Sequence, residues 1–229
     1  MKLGIMQPYF LPYIGYWQLI KAVDTYVVYD DVTYIKGGWI NRNNFLINKQ
    51  KKMYTIKLKD AGSYKLIKDI EILDDFGNFN KMLQTNYAKA PYFKQIMELV
   101  NQITCFDKSN LALFLNNSIL AINRYLNINT KVILSSELNK NEVLKGKDRV
   151  IYICKLLNAT DYYNAIGGVE LYDKNDFSIN NINLHFIKTG VTPYKQLSND
   201  FIPGLSILDV MMFNSVEDIQ NMLTDYILV

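Results

Sequence analysis

The chain reads as an α/β protein built on an open, mainly parallel sheet with an inserted helical segment. Three observations predict this. The opening runs strand, loop, helix, strand; residues 76–126 carry a sustained helical apolar period; and strand alternates with helix again from Lys131 onward. A crossover between parallel strands needs about a dozen residues, and the opening has them, so the layout is Rossmann-like. With 229 residues, 49% of them apolar, a single domain over 1–229 is expected, with 76–126 as a mainly helical insertion or subdomain.

Residues 3–7 form a short apolar run that Pro8 and Pro12 must end, and helical spacing resumes at Tyr13-Ile14-Gly15-Tyr16-Trp17. Residues 25–29 are β-branched and aromatic and close on Asp30-Asp31, which reads as a buried second strand. After a polar loop around Gly37-Gly38, runs at 45–48 and 53–58 flank a lysine-rich turn, as in a hairpin, and 67–73 suggests a further strand. Helices are expected over 76–89, over 91–103 with a proline at the start, and over 109–126 with a Ser109 cap. Then come a strand at 131–134, a helix at 147–157, strands at 161–165 and 184–188, and helices at 205–213 and 216–226, the last capped by Ser215.

Composition excludes several classes. A net charge of +3 with scattered lysines does not suit a nucleic-acid binder, and no run of about 18 apolar residues is present to span a membrane. Cys105 and Cys154 lie far apart in apolar helical patterns and read as buried thiols of a reducing compartment, so a cytoplasmic location is expected. One histidine, His185, alternates with apolar neighbours as a sheet residue. A zinc site or a Ser-His-Asp triad is therefore not expected, and no G-x-G-x-x-G or P-loop occurs.

Candidate chemistry gathers where parallel strands end. The loop after the first strand, with Gln7, Tyr9, Tyr13, Gly15 and Tyr16, meets a helix N-terminus that can face a phosphate. Asp30 and Asp31 leave the second strand at the same edge, where acids bind ribose hydroxyls, a metal or an amine. Lys36-Gly37-Gly38-Trp39-Ile40-Asn41-Arg42-Asn43 offers a ring platform between cations, with Asn41 and Asn43 as polar partners. Arg149 follows Lys145-Gly146-Lys147 at a helix start, where cations oppose the dipole unless an anion binds. Gly167-Gly168 after a strand permits close approach to a ligand, while Thr192-Pro193-Tyr194-Lys195-Gln196 and Asp209 are weaker candidates. The catalytic candidates are thus Asp30, Asp31 and Tyr13; the others named at this edge are binding residues.

Two resemblances add to this reading. Tyr13-Ile14-Gly15-Tyr16 stands where nucleotidyltransferases of the HIGH type carry a His-x-Gly-His tetrad, with both histidines replaced by phenols that cannot supply imidazolium charge. More extensively, the chain resembles the WbqC-like proteins of bacteria. The likeness lies in the run from Ile5 through Gln7-Pro8-Tyr9 to Gly15-Tyr16, in Tyr29-Asp30-Asp31-Val32, and in Lys36 with Trp39-Ile40-Asn41-Arg42-Asn43. It continues in Lys147-Asp148-Arg149, Gly167-Gly168 and Phe201-Ile202-Pro203-Gly204-Leu205. Ala165-Ile166-Gly167-Gly168 stands where that family's pattern often carries Ser-Gly. The resemblance implies a setting among genes for O-antigen and other surface polysaccharides, beside sugar aminotransferases.

The leading expectation is an enzyme that transfers an acyl or aminoacyl group to the amine of a nucleotide-linked amino sugar, with a thioester as donor. Lys36, Arg42 and Arg149 would hold diphosphate, Trp39 or a tyrosine would stack on the base, and Asp30 or Asp31 would accept the proton. A second reading activates a carboxylate or sugar phosphate with a nucleoside triphosphate and magnesium. A third is a non-catalytic partner of a sugar-modifying enzyme. No cofactor is fixed by the residues, and a homodimer is compatible with every reading.

Overall fold

The computed structural model describes residues 1–140 and 143–229. Its main sheet runs in the order β10-β9-β8-β1-β2-β7, where β1 is Lys2–Met6, β2 Thr25–Val28, β7 Lys131–Leu134, β8 Asp161–Ala165, β9 Asn183–Thr189 and β10 Tyr226–Leu228. All neighbours pair in parallel except β10, which lies antiparallel on β9. From β1 the chain moves outward to β2 and β7, then returns to place β8 on the other side of β1. Connections thus leave β1 and β8 in opposite directions, the arrangement that opens a crevice at the carboxyl ends of the strands.

Why the sheet is buried on both faces follows from alternation. Tyr26 and Val28 of β2 enter a large apolar cluster, whereas Val27 between them enters a smaller one with Leu3 and Ile5 of β1. The large cluster is roofed by α1 (Ile14–Ala22) and by α2 (Gly77–Tyr87), α3 (Phe93–Thr104) and α4 (Leu111–Tyr125) of the inserted segment. The smaller is covered by α5 (Gly146–Leu156) and α6 (Lys174–Ser178). The connection from β2 to β7 also holds, ahead of α2, the hairpin of β3 (Arg42–Ile47) and β4 (Gln50–Thr55), and a short pair, β5 (Leu58–Lys59) with β6 (Glu71–Ile72). Its helices share one core with the strand-end loop: Phe10 lies 5.4 Å from Phe79 and 6.4 Å from Phe45, ring centre to ring centre. Burying each such ring contributes about 1.5–3 kcal/mol.

Several expectations shift. Residues 67–73 yield only a 3-10 turn, Ile67–Asp69, and the two-residue β6. The cap of α4 is Asn110, which accepts from the Leu113 amide at 3.0 Å, because Ser109 is engaged with Asp107. The closing helices are shorter than their apolar pattern suggests: α7 is Ile207–Phe213, capped by Ser206, and α8 is Val216–Met222. Ser215 does cap α8, in a reciprocal box with Asp218. Cys154 is buried, and burial pushes its thiol up to about 12, whereas Cys105 ends α3 in the open. His185 sits on β9, 3.0 Å from the Asp161 carboxylate. Among the described residues, no helix is long and apolar enough to cross a membrane.

Candidate functional site

At the carboxyl edge of β1 and β2 lies a cleft of about 630 Å³, lined among others by Gln7, Tyr29, Asp31, Lys68, Lys145 and Arg149. Each comes from a different constraint of the fold. Gln7 and Tyr29 are the first residues past their strands, and the Tyr29 amide donates to the Met6 carbonyl at 2.8 Å, keeping the two strand ends in register. Gly146 opens α5 with a φ of 53°, a conformation that suits glycine, and so turns Lys145 and Arg149 to the same mouth. Lys68 arrives from the 3-10 turn Ile67–Asp69; its backbone amide donates to the Asp30 carbonyl at 3.0 Å.

The electrostatics of the cleft centre on Asp31. One oxygen, Oδ2, receives Lys140 Nζ at 2.5 Å and Arg149 Nη2 at 2.6 Å, and the side chains of all three are nearly buried, at 4%, 2% and 11% exposure respectively. Burial alone would raise the Asp31 carboxyl, but contacts from Lys140 and Ser135, with the charges of Lys140 and Arg149, outweigh it and hold the group below the usual carboxylate range. Arg149 also lies over the Tyr29 ring, its guanidinium carbon 5.4 Å from the centre. Burial pushes the Tyr29 phenol up to about 12, partly offset by Arg149. Among the described residues, two cations share this one carboxylate, which leaves a positive charge without a carboxylate of its own in a place largely shielded from water. Lys68 and Lys145 add to it at the rim.

The other predicted residues divide. Asp30 is buried away from the cleft, with Oδ1 accepting from the Ser136 amide at 2.9 Å and Oδ2 from the Ser136 hydroxyl at 2.6 Å; it ties the end of β2 to the segment after β7. Asp30 thus has both oxygens engaged by Ser136, whereas Asp31 spends Oδ2 on two cations and its Oδ1 has no hydrogen-bond partner among the described residues. Asn41 spends its amide on Tyr34 and the Ile56 carbonyl, and Asn43 on the Phe10 and Leu11 carbonyls at 3.0 and 2.6 Å. Both asparagines hold loops in place. Tyr16 is enclosed beside Trp17 and Tyr26, its hydroxyl donating to the Gln7 carbonyl, and burial pushes its phenol well up. Tyr16 is therefore a core residue and does not line the cleft.

Gly15 is a packing glycine: a Cβ there would lie 2.3 Å from Thr189 Oγ1 and 2.5 Å from the Tyr13 ring. Tyr9, Tyr13 and Trp39 line a second hollow of about 280 Å³ and not the cationic cleft. Arg42 supports Trp39, 5.8 Å from its ring, and Lys36 is exposed on the same loop. Gly167 is open and Gly168 buried in the 3-10 segment after β8. The expected convergence of Asp30, Trp39 and Arg42 on one cleft is thus corrected. Asp30 faces Ser136, and the other two belong to the second hollow and its support.

Sequence reasoning missed Lys140, Lys68 and Tyr29 as site residues. Only the rule that ligands gather past strand ends pointed to Tyr29. The lysines carry no local signal, since they arrive from loops on separate elements.

Comparison with known proteins agrees with the spread of these features along the chain. A model of the WbqC-like protein family matches residues 7–221, which include every cleft residue named above. The uncharacterized protein Rv1507c of Mycobacterium tuberculosis (strain ATCC 25618 / H37Rv) is 31% identical over 220 residues, covering 93% of this chain and 93% of that one. No solved structure matches the chain. On the extent of both matches, the chain belongs to the WbqC-like protein family.

Proposed function

We propose that this protein is a transferase of bacterial surface-glycan biosynthesis. It binds a nucleotide-linked amino sugar through its diphosphate and transfers an acyl or aminoacyl group to the sugar amine. One observation carries the reading: Lys140 and Arg149, both nearly buried, share the single carboxylate of Asp31. A buried charge without a partner is costly, and an arriving diphosphate removes that cost while gaining charge-assisted hydrogen bonds. Arg149 is the group best suited to it, because its planar guanidinium can hold two phosphate oxygens at once. Lys68 and Lys145 meet the remaining charge at the rim. The cleft lies at the carboxyl ends of β1 and β2, the edge at which open α/β sheets bind ligands, beside the β1-β8 boundary where the connections diverge, which favours a nucleoside diphosphate over a free anion.

Asp31 acts here as the holder of the cations and not as a base. In the transfer, the amine nitrogen attacks the thioester carbonyl, the new C–N bond forms, the C–S bond breaks, and the thiolate leaves. The amine proton passes to the departing thiolate or to water. The protein's share of the rate is positioning: fixing the diphosphate fixes the sugar, and an oriented pair of reactants needs no strong base. The family's surface-polysaccharide setting supports an amino sugar as the acceptor.

Incubation with UDP- or dTDP-amino sugars and a panel of acyl thioesters, read by mass spectrometry, tests the reaction. An acyl mass added to the nucleotide sugar, lost in Arg149→Ala, is the expected result. Nucleotide-sugar binding without any adduct across the donor panel would overturn the transfer step, and pyrophosphate released from a nucleoside triphosphate would replace it with nucleotidyl transfer.

A further inference from the structure

The second hollow joins a third of about 300 Å³. The two share Tyr13, Lys51 and Gly204, so they form one groove across the start of α1. Three features set it apart from the cationic cleft. First, it is walled by aromatic rings that the fold leaves in the open. Trp39 is 44% and Tyr13 37% exposed, while Tyr194 and Phe201 meet edge to face at 5.3 Å in the farther hollow. Trp17, the other tryptophan, is fully buried with its indole nitrogen donating to the Pro12 carbonyl. The core had room for one tryptophan and the surface kept the other.

Second, the floor is built to hold still. Leu11 sits in the left-handed region, φ 45°, which costs a branched residue about 1–3 kcal/mol unless its surroundings over-determine it. They do: the Leu11 carbonyl accepts from Asn43 at 2.6 Å and Ser206 at 2.7 Å, and the Pro12 carbonyl from Trp17 and the Ile207 amide, each at 3.0 Å. The bare α-carbon of Gly15 lets the Tyr13 ring lie back over the helix. At the far end, Tyr194 donates to the buried Asp209 carboxylate at 2.6 Å. Walls fixed in advance lower the entropy lost on binding.

Third, the rim is polar and carries a single lining cation among the described residues, Lys51. Asn44, Thr192 and Lys51 edge the groove, and the Lys51 ammonium is already bonded to the Pro203 carbonyl at 3.0 Å. Gly204, at φ 67°, brings the backbone to that ammonium; a Cβ there would lie 3.1 Å from it.

We infer that this groove binds the neutral pyranose rings of a glycan, at a site separate from the cationic cleft. A pyranose has an apolar C–H face and a rim of hydroxyls. The C–H face suits the electron-rich faces of Trp39 and Tyr13, and the hydroxyls suit the amide, hydroxyl and ammonium at the edge. A free nucleotide would look for cations, which gather in the other cleft. An aliphatic acyl chain would meet the apolar wall of Ile14, Val191, Ile202 and Met222 but would leave the hydroxyl, amide and ammonium of the rim unpaired. Tyr9 lines the groove and Gln7 lines the cleft, so their α-carbons, two residues apart, are within about 7 Å. The two sites thus flank one short segment of chain. The inference does not depend on acyl transfer.

The unequal exposure of the two tryptophans supplies the probe. Acrylamide quenching of the intact protein should report Trp39, and neutral oligosaccharides such as maltotriose, cellotriose and chitotriose should protect it saturably for at least one member. Direct binding by calorimetry should weaken at least ten-fold in Trp39→Ala, whose exposed side chain makes a folding failure improbable on physical grounds, and should be unchanged in Arg149→Ala. Protection by uridine or an acyl thioester in place of any glycan would overturn the inference, as would glycan binding that survives Trp39→Ala. UDP binding lost in Arg149→Ala with glycan protection intact separates this site from the diphosphate cleft; glycan protection lost with it would merge the two and overturn the assignment of a separate site.

Discussion

Two buried carboxylates face opposite electrostatic problems in this protein. Asp31 has two cations on one oxygen. Asp209, fully buried on α7, receives only neutral donors: the Tyr87 hydroxyl at 2.9 Å, the Tyr194 hydroxyl at 2.6 Å and the Gln196 amide at 2.8 Å. Among the described residues around Asp31 positive charge is in excess, and the carboxyl is held below its usual range. Around Asp209 burial outweighs the three hydrogen bonds, and the carboxyl is raised. A charge caged by neutral dipoles, with both oxygens accepting hydrogen bonds, asks for nothing more from outside. A cation pair sharing one anion does ask, and it opens on a cleft. That difference separates a structural carboxylate from a binding site better than burial does, since both are buried.

The comparison can be broken most forcefully at Asp31. Asp31→Ala leaves two nearly buried cations unpaired and should cost about 3–5 kcal/mol in urea unfolding. Inorganic phosphate should restore part of the loss, more in the variant than in the parent. A variant as stable as the parent would mean that the cluster is open to water and the argument from shielding fails.

A smaller effect sharpens the other half. A carboxyl raised in the folded state binds more protons there than when unfolded. Its contribution to stability therefore grows as the pH falls from neutral toward about 4, the ordinary carboxylate range. Asp31, lowered when folded, gives stability that is complete above that range and is lost only below it. Subtracting the unfolding profile of Asp209→Asn from that of the parent should leave a rise toward acid between pH 7 and 4. A flat difference would show that burial does not raise the Asp209 carboxyl.

Much of the sheet was legible from strand-favouring residues: Val132 and Ile133 announce β7, and Tyr162 and Tyr163 announce β8, each with the expected bounds of 131–134 and 161–165. The strand β10 was not, since three residues after a helical pattern carry no period, and pairing on β9 decides their shape. Within the site, Asp30 and Asp31 look equivalent in sequence. In an extended chain, however, adjacent side chains point to opposite sides, and one meets Ser136 while the other meets the cleft. Arg149 was legible as a cation misplaced at a helix start. Lys140 was not, because only the tertiary fold brings it from the segment after β7 to Asp31. The aromatic loop announced its tryptophan but not which hollow that ring would line.

The most direct test of the central claim is a calorimetric titration of UDP against the intact protein and Arg149→Ala, with uridine as the control that lacks phosphate. UDP binding that weakens with added salt and falls at least ten-fold in the variant, with uridine binding weakly or not at all, is the predicted result. UDP and uridine binding alike, or UDP binding untouched by loss of Arg149, would contradict it.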